Sequence, residues 1–394
     1  MVSAARAWAL TALAVGLAAS ITLSEVSLGA RLVLVVASGR LRRPPLLAPI
    51  VAFAAWAVLS ALASQRPLES LGQARGVLWL AALWVLVAAL DDARAAHRFA
   101  TSVFILVSLV AVMAIVQATA CPSTPPDVPG LARFFRKCDR ARGFFSIYMT
   151  LAGVLTLVLV AALPRLAIAG RSLAWAGPAW AAGLLALGLT YVRGAWVGFV
   201  VAVAGSLACL RRRRVVIAVV VAVLTVAVAA PRVSRRIGTI SLANETARDR
   251  LAMLDGGLRM IRDHPLVGVG PGQVKHVYPL TYAPPEALRR TTSHLHNTPL
   301  QIAAERGVVG LALWLWIFVA WFRRAGRAWW AIPAAATADR ALALGALLAI
   351  AAFLVSGLFE YNFGDTEVLL TACAVMALPF VLARSHGLDV DPAR

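Results

Sequence analysis

Between residues 4 and 384 the chain returns repeatedly to apolar stretches close to the length that crosses a lipid bilayer, and this leaves few folds open to it. A hydrocarbon core about 30 Å thick takes roughly 20 apolar residues as a helix. Stretches of this kind lie at about 4–21, 27–39, 46–64, 74–90, 97–119, 144–163, 172–191, 195–210, 215–230, 307–322, 340–358 and 367–384. With 61% hydrophobic and only 14% charged residues among 394, and a mean hydropathy of +0.80, a soluble globule is excluded. The expected class is an all-α polytopic membrane protein of about 12 transmembrane helices. The opening MVSAARAWALTALAVGLAASITL reads as a retained first helix, since its apolar run is long and more spans follow.

Charge orients these spans. The chain carries 38 Lys+Arg against 18 Asp+Glu, a net +20. In a soluble protein that excess would suggest nucleic acid; in a membrane protein it must first be divided by side, and no nucleic-acid partner is expected. With the N-terminus inside, Arg40, Arg42, Arg43, Arg94, Arg98, Arg165, Arg171, Arg211 to Arg214, Arg323, Arg324 and Arg327 all fall in cytoplasmic connections. The outer turns at 22–26 and 359–366 hold no Lys or Arg, and the one near 192 holds only Arg193. That alternation follows the positive-inside rule and puts both termini in the cytoplasm.

Two outer loops are too long to be mere connectors, 120–143 and 231–306. They divide the chain into membrane helices 1–230, a large loop 231–306, and membrane helices with a short tail at 307–394. In the large loop, Leu251, Leu254, Leu258 and Ile261 recur at helical spacing before Pro265. This predicts an amphipathic helix lying at the membrane surface. GVGPGQ then reads as a glycine-rich turn, either a plain turn or a phosphate cradle. Both loops are basic on the side where topology does not demand it, which implies an anionic partner such as a lipid phosphate. Cys121 and Cys138 share the first loop. In an oxidising compartment they could pair, contributing on the order of 3 kcal/mol.

The polar stretch SHLHNTPLQIAAERGVVG, 293–310, enters the tenth apolar run. Thr298-Pro299-Leu300-Gln301 matches a capping box, with Thr at N-cap, Pro at N1 and Gln at N3. His296 and Asn297 then precede a helix N-terminus, where unpaired N–H groups and the helix dipole favour an anion. Gly307 and Gly310 would let a neighbouring helix approach closely. His296 admits three readings: an interfacial residue without chemistry, a metal ligand with His294, or a proton-transfer group. The two histidines are only two residues apart with no carboxylate cluster beside them, which disfavours metal.

These residues also resemble a known family. His296-Asn297, nine residues, Gly307, two residues and Gly310 match the His-[Asn/Ser/Gln]-x9-Gly-x-x-[Gly/Thr/Tyr] pattern of bacterial O-antigen ligases, within the wider ligase/polymerase superfamily. Tyr191-Val-Arg193-Gly194-Ala-Trp196 is similar to the family's Arg-Gly segment between two spans. Arg250-Leu-Ala-Met-Leu254 resembles its Arg-x3-Leu segment in the large loop. The likeness runs in matching order from about residue 140 to 325.

The resemblance implies a GT-C-type glycosyltransferase of the bacterial inner membrane, acting at the periplasmic face without metal or cofactor. The glycan would leave undecaprenyl pyrophosphate and pass to a sugar hydroxyl of lipid A–core, with inversion. Arg193 and Arg250 would hold the departing pyrophosphate with planar forks of donors, and His296 would take the acceptor's proton. Asn297 and Gln301 would border the substrate, and Arg248 rivals Arg250. Arg140 and Arg142 would meet a second phosphate or an anionic acceptor core, or else lipid headgroups. Tyr278, Tyr282 and His276 either line a sugar cleft or pack the loop. Glu360, Asp365 and Glu367 are expected to be solvated. Two other activities stay open: a polymerase of the same superfamily, and a transporter of an anionic solute. The transporter is disfavoured because the spans show no clear internal repeat and hold few charges. A protein oligosaccharyltransferase is less expected, since those relatives usually carry an added C-terminal domain.

Overall fold

The computed structural model describes residues 2–37, 39, 44–122, 124, 127–169, 175–209, 245–285 and 287–388. The expected span 215–230 and Arg211 to Arg214 lie outside the described residues. The described chain is helical, without strands, and comprises α1 (Val2–Ala19), α2 (Ile21–Ala37), α3 (Leu47–Leu62), α4 (Pro67–Ala74), α5 (Ala82–Ala89), α6 (Ala93–Thr119), α7 (Pro129–Phe135), α8 (Tyr148–Ala169), α9 (Ala176–Leu189), α10 (Arg193–Cys209), α11 (Glu245–Asp263), α12 (Thr298–Ala331), α13 (Thr337–Gly357) and α14 (Thr366–Ser385). A 3-10 segment, Arg75–Ala81, joins α4 to α5. Among the described residues 6 helical stretches are long and apolar enough to cross a membrane alone: Pro67–Ala89, Ala93–Thr119, Tyr148–Ile168, Thr298–Ala331, Thr337–Gly357 and Thr366–Ser385. The protein is an all-helical polytopic membrane protein.

One boundary differs from the sequence reading. Residues 22–26 form no outer turn; α2 begins at Ile21, and the reversal is made at Ser20, whose Oγ accepts from the Leu23 N–H at 3.3 Å. A single serine that caps the second helix turns the chain more tightly than a five-residue loop would.

Packing centres on α14, which is 89% buried along its span, and on α13, which lies against α8 and α10. Small residues permit these approaches. A Cβ on Gly198 of α10 would stand 2.5 Å from the Ala352 carbonyl oxygen of α13, so the backbones meet directly, as membrane helices without a hydrophobic driving force tend to do.

The 120–143 loop is braced twice. Cys121 and Cys138 form a disulfide across 17 positions, Cα–Cα 5.4 Å. Gln117, fully buried in α6, accepts from the N–H groups of Arg142 and Gly143 at 3.3 and 3.1 Å and donates to the Phe134 carbonyl. Reducing the disulfide is expected to lower stability by about 3 kcal/mol on the chain-entropy model. Thermal unfolding of the purified protein with and without reductant reads this directly, and superimposable curves would contradict it.

Candidate active site

The site is built around a break in α12. At Gly307 (φ 67°, ψ −179°) the backbone leaves helical geometry, and the carbonyls just before it find partners elsewhere. Val269 N–H bonds Ala304 O at 2.9 Å and Gly270 N–H bonds Glu305 O at 2.9 Å. Trp56 Nε1 of α3 donates to Arg306 O at 2.8 Å, and Ser60 Oγ donates to Glu305 O at 2.9 Å. Gly307 is therefore no helix-packing glycine, as the sequence reading had it. It is the seat of the 265–270 segment, and an added Cβ would collide with the Leu266 carbonyl. Gly310 does face a neighbour: a Cβ there would stand 3.3 Å from Trp56 Cδ1.

The glycine-rich turn that follows the surface helix binds a carboxylate of the protein itself: Gly272 N–H donates to Glu305 Oε1 at 2.8 Å. Glu305 also accepts from Gln301 Nε2 at 2.7 Å and from Arg306 NH1 at 2.8 Å. Both Glu305 and Arg306 are buried. A buried carboxylate needs such partners to remain charged.

The helix start lies one residue earlier than a capping box at Thr298 would place it. Asn297 is the N-cap, its side-chain oxygen accepting from Leu300 N–H at 2.9 Å. Its amide donates to Leu358 O at 2.9 Å. Thr298 is the first helical residue, and its Oγ1 lies 2.8 Å from Glu360 O and 3.0 Å from Asn362 Oδ1. Asn is as good a cap as Thr, and capping by Asn297 frees Thr298 to latch the 358–362 turn. Gln301 is buried, and its Oε1 accepts from Leu295 N–H at 2.7 Å, so both ends of its amide are engaged within the protein.

That latched turn delivers Glu360. One oxygen accepts from Arg250 NH2 at 2.7 Å and the other lies 2.9 Å from His296 Nδ1. Glu360 is 7% exposed, contrary to the expectation that it is solvated. Asp365, likewise not free, caps α14 through Val368 N–H at 3.3 Å and accepts from Thr150 Oγ1 at 2.5 Å. His296 occupies the left-handed region at φ 50°, a conformation uncommon outside glycine that marks a constrained residue.

His294 stacks edge-on against His296, ring centroids 4.3 Å apart. Burial, then the neighbouring His296, pushes its pKa down to about 4. It is therefore neutral at neutral pH and offers an anion no charge.

Arg193 stands half-buried at the start of α10. A Cβ on adjacent Gly194 would stand 2.6 Å from Phe359 Cβ, so α10 begins against the turn that bears Glu360. Ala141 N–H bonds Leu189 O at 3.0 Å, which brings Arg140 and Arg142 to the end of α9. Arg140 lies over the Tyr148 ring at 4.3 Å. Arg142 donates to Phe145 O at 3.4 Å.

Arg248 is exposed on α11. Between it and Arg250, Asp249 accepts from the N–H groups of Leu288 and Arg289, each at 3.1 Å. This fixes the orientation of α11 at the two arginines. Tyr278 and Tyr282 are buried under α11 with Met253 and Met260 and pack the loop. His276 bonds Glu69 at 2.8 Å. The α11 helix leaves Leu251, Leu254 and Leu258 exposed, the stripe expected to face the membrane surface.

Sequence reasoning missed Glu360 and the Glu305–Arg306 pair. A usable signal was present for the first: two carboxylates, Glu360 and Asp365, and no Lys or Arg lie in the 359–366 turn, with Glu367 directly after it, opposite loops rich in arginine.

No curated protein matches the chain. A protein-family comparison does: residues 178–315, covering α9, α10, α11 and the first part of α12, match the family model described as O-antigen ligase. Over that segment, about a third of the chain, the protein is similar to the O-antigen ligase family.

Proposed function

We propose that the protein is an inverting, metal-independent glycosyltransferase. It moves a glycan from undecaprenyl pyrophosphate to a sugar hydroxyl of lipid A–core at the periplasmic face of the inner membrane, both termini being cytoplasmic. One observation carries the reading: the buried Glu360 carboxylate holds His296 Nδ1 and the Arg250 guanidinium at once. An ionised carboxylate only accepts hydrogen bonds, so Nδ1 carries a proton, and in the neutral ring Nε2 then keeps its lone pair. That tautomer makes His296 a base, oriented by its carboxylate in the manner of a catalytic triad.

The acceptor hydroxyl gives its proton to Nε2 as its oxygen attacks the anomeric carbon, and the bond to the pyrophosphate oxygen breaks on the opposite face. Negative charge grows on the leaving phosphates. Arg250 has one nitrogen on Glu360 and keeps 35% of its side chain accessible, enough to offer the rest of its fork to a phosphate oxygen. Arg193 supports the second phosphate from the start of α10. Preorganised charge of this kind commonly contributes several kcal/mol to lowering the barrier. Asn297 and Gln301 act by holding the loop, whereas Arg248, Arg140 and Arg142 line the approach for anionic substrate groups. The loop 231–306 supplies the base and one clamp; the flanking membrane segments 1–230 and 307–394 supply Arg193 and Glu360.

Membranes containing the protein, given a radiolabelled undecaprenyl-pyrophosphate glycan and lipid A–core, are expected to form labelled lipid A–core. Label that instead lengthens on its polyprenyl carrier would assign a polymerase, and flux without bond formation would assign a carrier.

A further inference from the structure

A second site lies at the other end of the helices. α8 runs from Thr150, bonded to Asp365 beside the candidate active site, to Arg165, about 22 Å further at 1.5 Å per residue. There α6, α8, α13 and α14, with Trp175 and Ala176 at the start of α9, line a half-open cavity of about 60 Å³. Its walls are apolar, among them Phe99, Phe104, Ala162, Trp175 and Leu378. Arg165 is the one charged side chain lining it among the described residues. Its NH2 donates to the neutral hydroxyl of Thr101 at 3.2 Å.

We propose that this cavity binds an anionic glycerophospholipid of the leaflet opposite the active site. One acyl chain would lie in the cavity and the phosphate on Arg165. Within a bilayer a dry apolar void forfeits the contacts of its lining, and the solvent available to fill it is lipid chain. Among the described residues no carboxylate pairs with Arg165 at this edge, and its planar donor fork matches a phosphate. Trp175, 48% exposed and 6.3 Å from Phe104 between ring centroids, supplies the amphipathic ring common at headgroup depth.

The full-length protein, delipidated in detergent, would be titrated with phosphatidylglycerol, phosphatidylcholine or glycerol phosphate and followed by native mass spectrometry. The expected result is one retained phosphatidylglycerol, favoured over phosphatidylcholine by about five-fold, the effect of one basic side chain near an anionic headgroup. Glycerol phosphate alone is not retained. Arg165→Gln abolishes the preference, and Ala162→Phe, which fills the cavity with apolar bulk, removes the bound lipid while the melting temperature stays near wild type. Equal retention of both lipids by the wild type, a preference unchanged in Arg165→Gln, or retention unchanged in Ala162→Phe would each overturn the proposal. If Arg165→Gln does not fold, Ala162→Phe and the wild-type lipid comparison still decide it.

Discussion

Replacing His296 by Ala is expected to lower glycan transfer by about 10³-fold in membranes that hold the variant at normal levels, within the range typical for loss of a positioned general base. Glu360→Gln is expected to act in the same direction, by about 10²-fold, through the bonds that orient the ring. An amide cannot replace the carboxylate here. With its oxygen toward His296 Nδ1 it turns an NH2 toward Arg250, donor against donor; turned round, it faces His296 with a donor and forces the other tautomer. Either the contact at 2.7 Å to Arg250 is lost, or the one at 2.9 Å to His296 survives only with the proton moved to Nε2, where the base needs its lone pair. Because Glu360 works largely through His296, the pair should be non-additive. Introduced into His296→Ala, Glu360→Gln should remove far less than it does in the wild type, the remainder reflecting Arg250. A four-membrane assay of wild type, both single variants and the double variant measures this. Near-full transfer by His296→Ala would end the base assignment, and strict additivity would end the claim that the carboxylate positions the imidazole.

The apolar helices were legible because lipid imposes a length and a composition on them, and 6 of them in the described residues are long and apolar enough to cross a membrane. The helix α11 was legible for a similar reason: its four apolar positions and Pro265 are local, and it ends at Asp263 as that proline requires. What stayed hidden depends on partners distant in the chain. Asn297 and Thr298 are both good caps. The choice between them is made by Leu358 and Glu360, about sixty residues away, which bond their side chains. Glu360 reads as a surface residue of a short polar turn until His296 and Arg250 are seen to flank it. The glycine-rich turn is the opposite case. Its spacing could serve a phosphate, yet its Gly272 N–H faces the carboxylate of Glu305, so the plain structural reading holds. Of the three residues proposed to act together, two share a ligand directly. Arg193 begins α10 against the turn that bears Glu360 through the Gly194–Phe359 approach, which no sequence spacing could have announced.

The largest effect on folding should come from Gly307→Ala. The backbone at φ 67°, ψ −179° belongs to a region that is essentially glycine-only, and an L side chain there costs on the order of 1–3 kcal/mol before any contact is considered. The contact makes it worse, because the new methyl would fall against the carbonyl of Leu266 and close to that of Pro265. The obstacle is main chain, so no rotamer change relieves it. Moving the 265–270 segment away would break the bond from Val308 N–H to Pro265 O at 2.8 Å and those from Val269 and Gly270 to the freed carbonyls of α12. Alternatively, straightening α12 into a continuous helix would draw Ala304, Glu305 and Arg306 back into helical bonding and strip the loop of its acceptors. Either route should destabilise the protein by about 4 kcal/mol or more, a large share of the stability of an ordinary domain. Detergent-solubilised Gly307→Ala is therefore expected to give little monodisperse protein and a strongly lowered melting temperature. Gly326→Ala, in the same helix with open space around the added methyl, should behave as wild type or slightly better. If Gly307→Ala instead purified and melted like Gly326→Ala, the helix break would not be what holds the glycine loop against α12, and the structural basis offered for the His-Asn-x9-Gly spacing would fail.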